Sequence, residues 1–265
     1  MEQPEGPLPV EVAIENLRRT LSADRRMADD AGNLLDLLAQ VAGVPARTTQ
    51  VRAEGWRPST TEEAWDELYS KLYDPGGAMA ATCCAALPVL AALACTDAAP
   101  VEAMIIAGGI VDTFSREELA AYSADNAVLR DAAERTLTTR LTTHHALCTI
   151  QALAAFEGLE PWGWALTFLA SEDGMTTCPS CGADLWATIP PDGSVSLSPD
   201  TEITPADLST LDPADARVYQ LVNQYGGRER RRLVAPLLNL FSTVVCPGCA
   251  TSYRISDALR AARSQ

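Results

Sequence analysis

The sequence predicts a mostly α-helical chain with a small β element near its C-terminal end, and three observations carry that expectation. Hydrophobic residues fill 47% of the 265 positions but aromatics only 6%, and alanine and leucine lead rather than β-branched runs, which favours packed helices. Apolar residues recur at helical spacing through most of residues 1–170. Beyond Cys178 the pattern changes to an alternation of period two. A chain of this length holds one large or two modest domains. The change of pattern divides it into an acidic helical domain, residues 1–170, and a cysteine-bearing region, residues 171–265.

The first helix is expected over residues 8–21, opened by Pro7 and Pro9 and carrying Val10, Val12, Ile14, Leu17 and Leu21. Ser22 then caps a longer helix whose apolar face is Met27, Leu34, Leu35, Leu37, Leu38 and Val41, and Gly43 before Pro45 ends it. Residues 47–58 lack periodicity and read as a loop. Ser59 with Glu62 and Thr60 with Glu63 are overlapping capping boxes for a helix presenting Trp65, Leu68, Leu72 and Tyr73, stopped at Asp74-Pro75-Gly76-Gly77. Two apolar helices follow, over residues 78–95 with Pro88 inside and over residues 100–114. Ser115 with Glu118 caps the helices through residues 116–158, Gly158 closes them, and Pro161-Trp162-Gly163-Trp164 opens a short aromatic helix that packs under the metal region.

In the C-terminal region, residues 185–197 read as a β-hairpin turning at Asp192-Gly193, and residues 198–212 as a loop. Two helices occupy residues 213–225 and 228–240. Thr243-Val244-Val245 and Ser252-Tyr253-Arg254-Ile255 are strands, and Ser256-Asp257 caps a last helix.

Charge is uneven: residues 1–175 carry 12 basic against 26 acidic side chains, residues 176–265 carry 8 against 9, and the whole chain has a formal charge of −15. A field of that sign repels a phosphate backbone and draws basic partners, so it disfavours non-specific nucleic-acid binding by the helical part. The N-terminal residues have no basic segment followed by an apolar core, no apolar run spans a bilayer, and the cysteines lack a disulfide framework, so a cytoplasmic location is expected. One lysine, Lys71, among 20 basic residues reflects a GC-rich coding genome of bacterial type and bears on no mechanism.

The strongest signal is a pair of hooks, Cys178-Pro179-Ser180-Cys181 and Cys246-Pro247-Gly248-Cys249. Two intervening residues let a tight turn aim both sulfurs at one point, and two such turns supply four thiolates for a closed tetrahedral zinc site. One structural Zn2+ per chain is therefore expected, with mononuclear iron or redox dithiols as the alternatives. The hooks and the strand-forming residues after them resemble the two knuckles of a zinc ribbon. Here 64 residues separate Cys181 from Cys246, two helices are inserted, and Ala250 stands where glycine often follows a knuckle. The paired apolar helices of residues 60–170, the first with Leu87-Pro88 and the second after a turn containing Asp97, resemble HEAT or armadillo repeats. That resemblance implies an α-solenoid of antiparallel helices.

Cys83, Cys84, Cys95 and Cys148 sit in apolar helices and read as buried small hydrophobes. Cys148 follows His144 by four residues, so His144, His145 and Cys148 mark a candidate groove where an enzymatic Cys–His couple could form. Arg228, Arg230, Arg231 and Arg232 oppose the dipole at a helix start and form a candidate anion or partner patch, or a solvated face paired with Asp207, Asp212 or Asp215. No catalytic or cofactor-binding residue is assigned. The leading expectation is a non-enzymatic scaffold or regulator that binds a basic protein through its acidic helical surface. Nucleic-acid binding through the ribbon and the arginine patch is the second reading, and an enzyme near His144 and His145 is the third.

Overall fold

The computed structural model describes residues 8–23, 28–44, 60–73, 80–96, 100–139, 141–166, 173–188, 196–198, 201, 203–225 and 230–263. The chain is mostly helical and divides into two compact units, Met1–Thr136 and Leu137–Gln265. This division lies upstream of the change of sequence pattern near residue 170.

The first unit contains α1 (Val10–Ala23), α2 (Ala28–Val41), α3 (Thr61–Tyr73), α4 (Ala80–Ala94), α5 (Val101–Thr113), a one-turn α6 (Arg116–Leu119) running into a 3-10 turn, and α7 (Ser123–Leu137). Each forms for local reasons. Thr60 starts α3 reciprocally: its backbone N–H donates to Glu63 Oε2 at 3.2 Å, and the Glu63 N–H donates to Thr60 Oγ1 at 3.1 Å. Ser115 makes the same box with Glu118. Ser59, the other expected cap, lies outside the described residues. Pro88 sits inside α4 without ending it.

Packing in this unit is circular. α1 contacts α2 and α4, α2 contacts α3, α3 contacts α5, and α5 returns to α4. Besides the pairings of helices adjacent in the chain, α1 lies against α4. The reason is composition: α4 is apolar on nearly all sides, with Cys83, Ala86, Leu87, Val89, Leu90 and Leu93 all buried, so it must be enclosed rather than merely flanked. Leu17, Leu21, Leu34, Leu38, Leu68, Met104 and Ile110 complete the core.

The second unit begins with α8 (Thr143–Glu157), capped by the Thr142 side chain accepting from the His145 N–H and ended by Gly158 at φ 68°. It continues through α9 (Trp162–Ala165), β1 (Asp173–Thr177), β2 (Asp184–Thr188), β3 (Ser196–Ser198), β4 (Ile203–Thr204), α10 (Pro213–Tyr225), α11 (Arg230–Leu240), β5 (Thr243–Val245), β6 (Ser252–Arg254) and α12 (Ile255–Arg263). The strands form two antiparallel sheets, β1-β2-β3 and β4-β5-β6. The expected hairpin is present as β2 and β3, with Thr188 opposite Ser196; its turn at Asp192-Gly193 lies outside the described residues. Two strands had no clear sequence signal. β1 reads Asp-Gly-Met-Thr-Thr, without alternation, and is held by pairing with β2 from Asp173↔Thr188 to Thr177↔Asp184. β4, inside the expected loop, exists because Ile203 and Thr204 pair with Val244 and Thr243.

A buried polar hub ties α9, α10 and α12 together. Asp215 is 0% exposed and accepts from Trp162 Nε1 at 2.8 Å, Ser256 Oγ at 3.0 Å and Arg260 Nη2 at 2.7 Å. Arg260 also binds Asp212 and Asp257, and its Nε donates to the Glu160 carbonyl at 3.0 Å. Burial raises the Asp215 pKa, while Arg260 and the Trp162 N–H work against that rise. Trp162 also meets Phe241 edge-on at 5.2 Å, so the tryptophan segment packs inside the cysteine-bearing unit. On α10, Arg217 makes a forked pair with Glu157 of α8 through Nε at 2.9 Å and Nη2 at 2.6 Å. Among the described residues no helix is long and apolar enough to cross a membrane.

Candidate metal centre

The two hooks fold to one design. In the first, the Cys178 N–H donates to the Ala183 carbonyl at 2.8 Å and the Gly182 N–H to the Cys178 carbonyl at 2.9 Å. In the second, the Cys246 N–H donates to the Thr251 carbonyl at 2.9 Å and the Ala250 N–H to the Cys246 carbonyl at 2.8 Å. The bonds fall at identical offsets, and each hook feeds a strand, β2 or β6. Such a closed turn turns both sulfurs of its hook to the same side, where the other hook faces them: a Cβ built on Gly248 would stand 3.5 Å from Ala183 Cβ and 3.6 Å from Cys181 Sγ.

All four sulfurs lie within 4.8 Å of one another. Cys178 Sγ is 3.8 Å from Cys249 Sγ, and Cys181 Sγ is 3.6 Å from Cys246 Sγ. A tetrahedron with metal–sulfur bonds of about 2.3 Å separates its sulfurs by about 3.8 Å, so the donor set fits a single thiophilic ion. The surroundings of Cys181 and Cys249 agree. The Thr251 hydroxyl, 3.3 Å from Cys249 Sγ, and the Thr251 backbone N–H draw the Cys249 thiol down to about 6. The backbone N–H of Ala183 favours the Cys181 thiolate, yet the sulfurs of Cys246, Cys249 and Cys178 prevail and push that thiol up to about 12. Four thiolates so close together need a cation to coexist. A further support is the Gly248 N–H, 3.3 Å from Cys246 Sγ.

Ala250 is the only non-glycine with positive φ among the described residues, at 59°, and occupies the same offset as Gly182 at 73°. An L-residue there is strained, which glycine avoids. Ala250→Gly should therefore stabilise the second unit by about 1 kcal/mol, and Gly182→Ala, whose Cβ would meet nothing within 4 Å, should lose a similar amount through backbone strain alone. Calorimetric midpoints of the two metal-loaded variants check this; a fall for Ala250→Gly would refute it.

The other candidate residues fare differently. Cys148 Sγ lies 3.6 Å from His144 Nε2, so the two are in reach, but burial raises the Cys148 thiol pKa, the opposite of activation. His145 stands beside His144 with ring centroids 6.0 Å apart. Burial pushes Cys83 and Cys84 up to about 11, in keeping with small core hydrophobes. At pH 7 iodoacetamide should consequently leave Cys83 and Cys84 unmodified until the first unit unfolds, as read by timed mass spectrometry. Fast modification of Cys84 would contradict it.

Arg230, Arg231 and Arg232 do open α11; their side chains, and Arg228 entirely, lie outside the described residues. Among the described residues, Asp207 accepts from Ser209, and Asp212 and Asp215 bind Arg260. Three contributors escaped sequence reasoning. Thr251 is marked only by following a hook, and the Asp215–Arg260 pair spans 45 positions. Tyr253 carries no local signal at all. Its buried hydroxyl makes no hydrogen bond among the described residues, and desolvation, then the nearby sulfurs, raise its pKa. No family model, curated protein or solved structure matches the chain.

Proposed function

We propose that the protein is a non-enzymatic scaffold or regulator that binds a basic protein partner through the acidic surface of its first unit, with one structural zinc stapling the second unit. The four-sulfur cluster is the observation that carries this reading. A complete set of four thiolates leaves no position for water or substrate, which supports a structural role over catalysis. Zinc is favoured over iron because a structural clasp calls for no change in the oxidation state of the metal itself, and metal analysis of protein purified without added metal should find one zinc per chain.

Charge supports the partner class. Residues 1–136 hold 11 basic and 22 acidic side chains, against 9 and 13 in the remainder, and Glu62, Asp66, Glu117, Asp131 and Glu134 are exposed. Attraction across such a surface raises association rates and weakens with salt. The test is capture from host extract by the wild type and by a variant carrying Glu62→Gln, Asp66→Asn, Glu117→Gln and Glu134→Gln. A stoichiometric protein held at low salt, released by added salt and lost from the variant supports the reading. Recovery of nucleic acid in place of a protein overturns it.

A further inference from the structure

Within each hook the two ligands differ in exposure. Cys178 and Cys246 are buried, at 2% and 1% exposure, whereas Cys181 and Cys249 face solvent. Each exposed sulfur lies against a buried sulfur of the opposite hook, Cys249 at 3.8 Å from Cys178 and Cys181 at 3.6 Å from Cys246. Any oxidant reaching the centre meets an exposed sulfur first and finds its resolving partner across the clasp. We infer that the centre is a clasp with two closed states, metal-bound when reduced and joined by a cross-hook disulfide, Cys178–Cys249 or Cys181–Cys246, when oxidised by a hydroperoxide. This rests on the metal-clasp reading above and concerns its regulation.

The chemistry balances with hydrogen peroxide as the oxidant. The Cys249 thiolate attacks one peroxide oxygen, the O–O bond breaks, and the departing hydroxide takes a proton to become water. Cys249 is then a sulfenic acid. The Cys178 thiolate attacks that sulfur, the S–S bond forms, the S–O bond breaks, and the second hydroxide leaves as water with another proton. Two sulfurs have lost two electrons and one peroxide has become two waters. With two donors gone the ion is released. The same sequence applies to Cys181 and Cys246.

The pairing has a mechanical result. A disulfide within one hook would leave the hooks free to separate, but a cross-hook disulfide keeps β2 and the β5–β6 pair joined after the metal has left. Oxidation therefore exchanges one staple for another, unlike chelation under reducing conditions, which removes the only one.

The experiment uses the full-length, zinc-loaded chain, its zinc content measured beforehand. Hydrogen peroxide is added with a chromogenic chelator present, free thiols are alkylated, and the digest is mapped without reduction. The expected result is release of the bound zinc together with a peptide pair linked through Cys178 and Cys249 or through Cys181 and Cys246. The oxidised chain should also unfold at a higher temperature than chelated, reduced chain, and thiol reductant with zinc should restore the starting state. Disulfides within the hooks, sulfinic acids without disulfide, or retention of zinc through peroxide excess would each overturn the proposal. Protein that purifies free of metal would instead sink the zinc reading, and the disulfide pairing would still be read from the same digest.

Discussion

Cys246→Ser should abolish metal binding and unfold much of the second unit while leaving the first unit folded. Cys246 is buried at 1% exposure, so the variant places a poorly ligating hydroxyl beside three thiols that cannot by themselves close a tetrahedron. Structural zinc supplies roughly 10 kcal/mol or more of apparent folding free energy, comparable with the entire stability of an ordinary domain. Hydrogen exchange provides the readout. Protection should be lost at residues 173–188 and 243–254 and kept across α4 and α5, and a strong chelator acting on the wild type under reducing conditions should produce the same map. Simultaneous loss from both units would mean that they do not fold separately.

Arg260→Ala should be the most damaging substitution away from the cysteines, costing about 3–5 kcal/mol because it strands a buried carboxylate. Asp215 is fully enclosed and Arg260 is its cationic partner at 2.7 Å. The loss should depend on pH in a known direction. Burial already raises the Asp215 pKa and Arg260 is the chief opposing influence; without the arginine the carboxyl rises further. Its protonated form is then the one the fold prefers, so the deficit is largest above the folded-state pKa and shrinks as pH falls through it. Denaturant melts of wild type and variant between pH 5 and pH 8 test this. Adding Asp215→Asn should recover part of the loss, whereas additive losses would show that the pair does not couple.

Helices and hooks were readable because their signals are local. Thr60 and Ser115 cap with residues three positions away, and a Cys-x-x-Cys turn needs only its own backbone bonds. What escaped depends on distant partners. β1 and β4 are strands by virtue of β2 and β5, not by pattern, since tertiary pairing overrides weak propensity. Ala250 was visible as a departure from glycine, but only backbone geometry shows the strain it bears. The arginine run at the start of α11 was equally visible, whereas the pairing of Asp212 and Asp215 with Arg260 on a distant helix was not. A solenoid was the natural expectation from paired apolar helices, and pairing alone says nothing about where the first helix goes.

That first helix returns to α4. Open repeat arrays grow or shrink by duplicating or shedding a unit at an end, because the remaining neighbours keep their interfaces. A circuit offers no such end. Inserting a helix pair between α2 and α4 would break the junction at α1, and trimming α1 would bare the apolar flank of α4. Shortening α1 should therefore loosen α4, although two other helices lie between them in the chain.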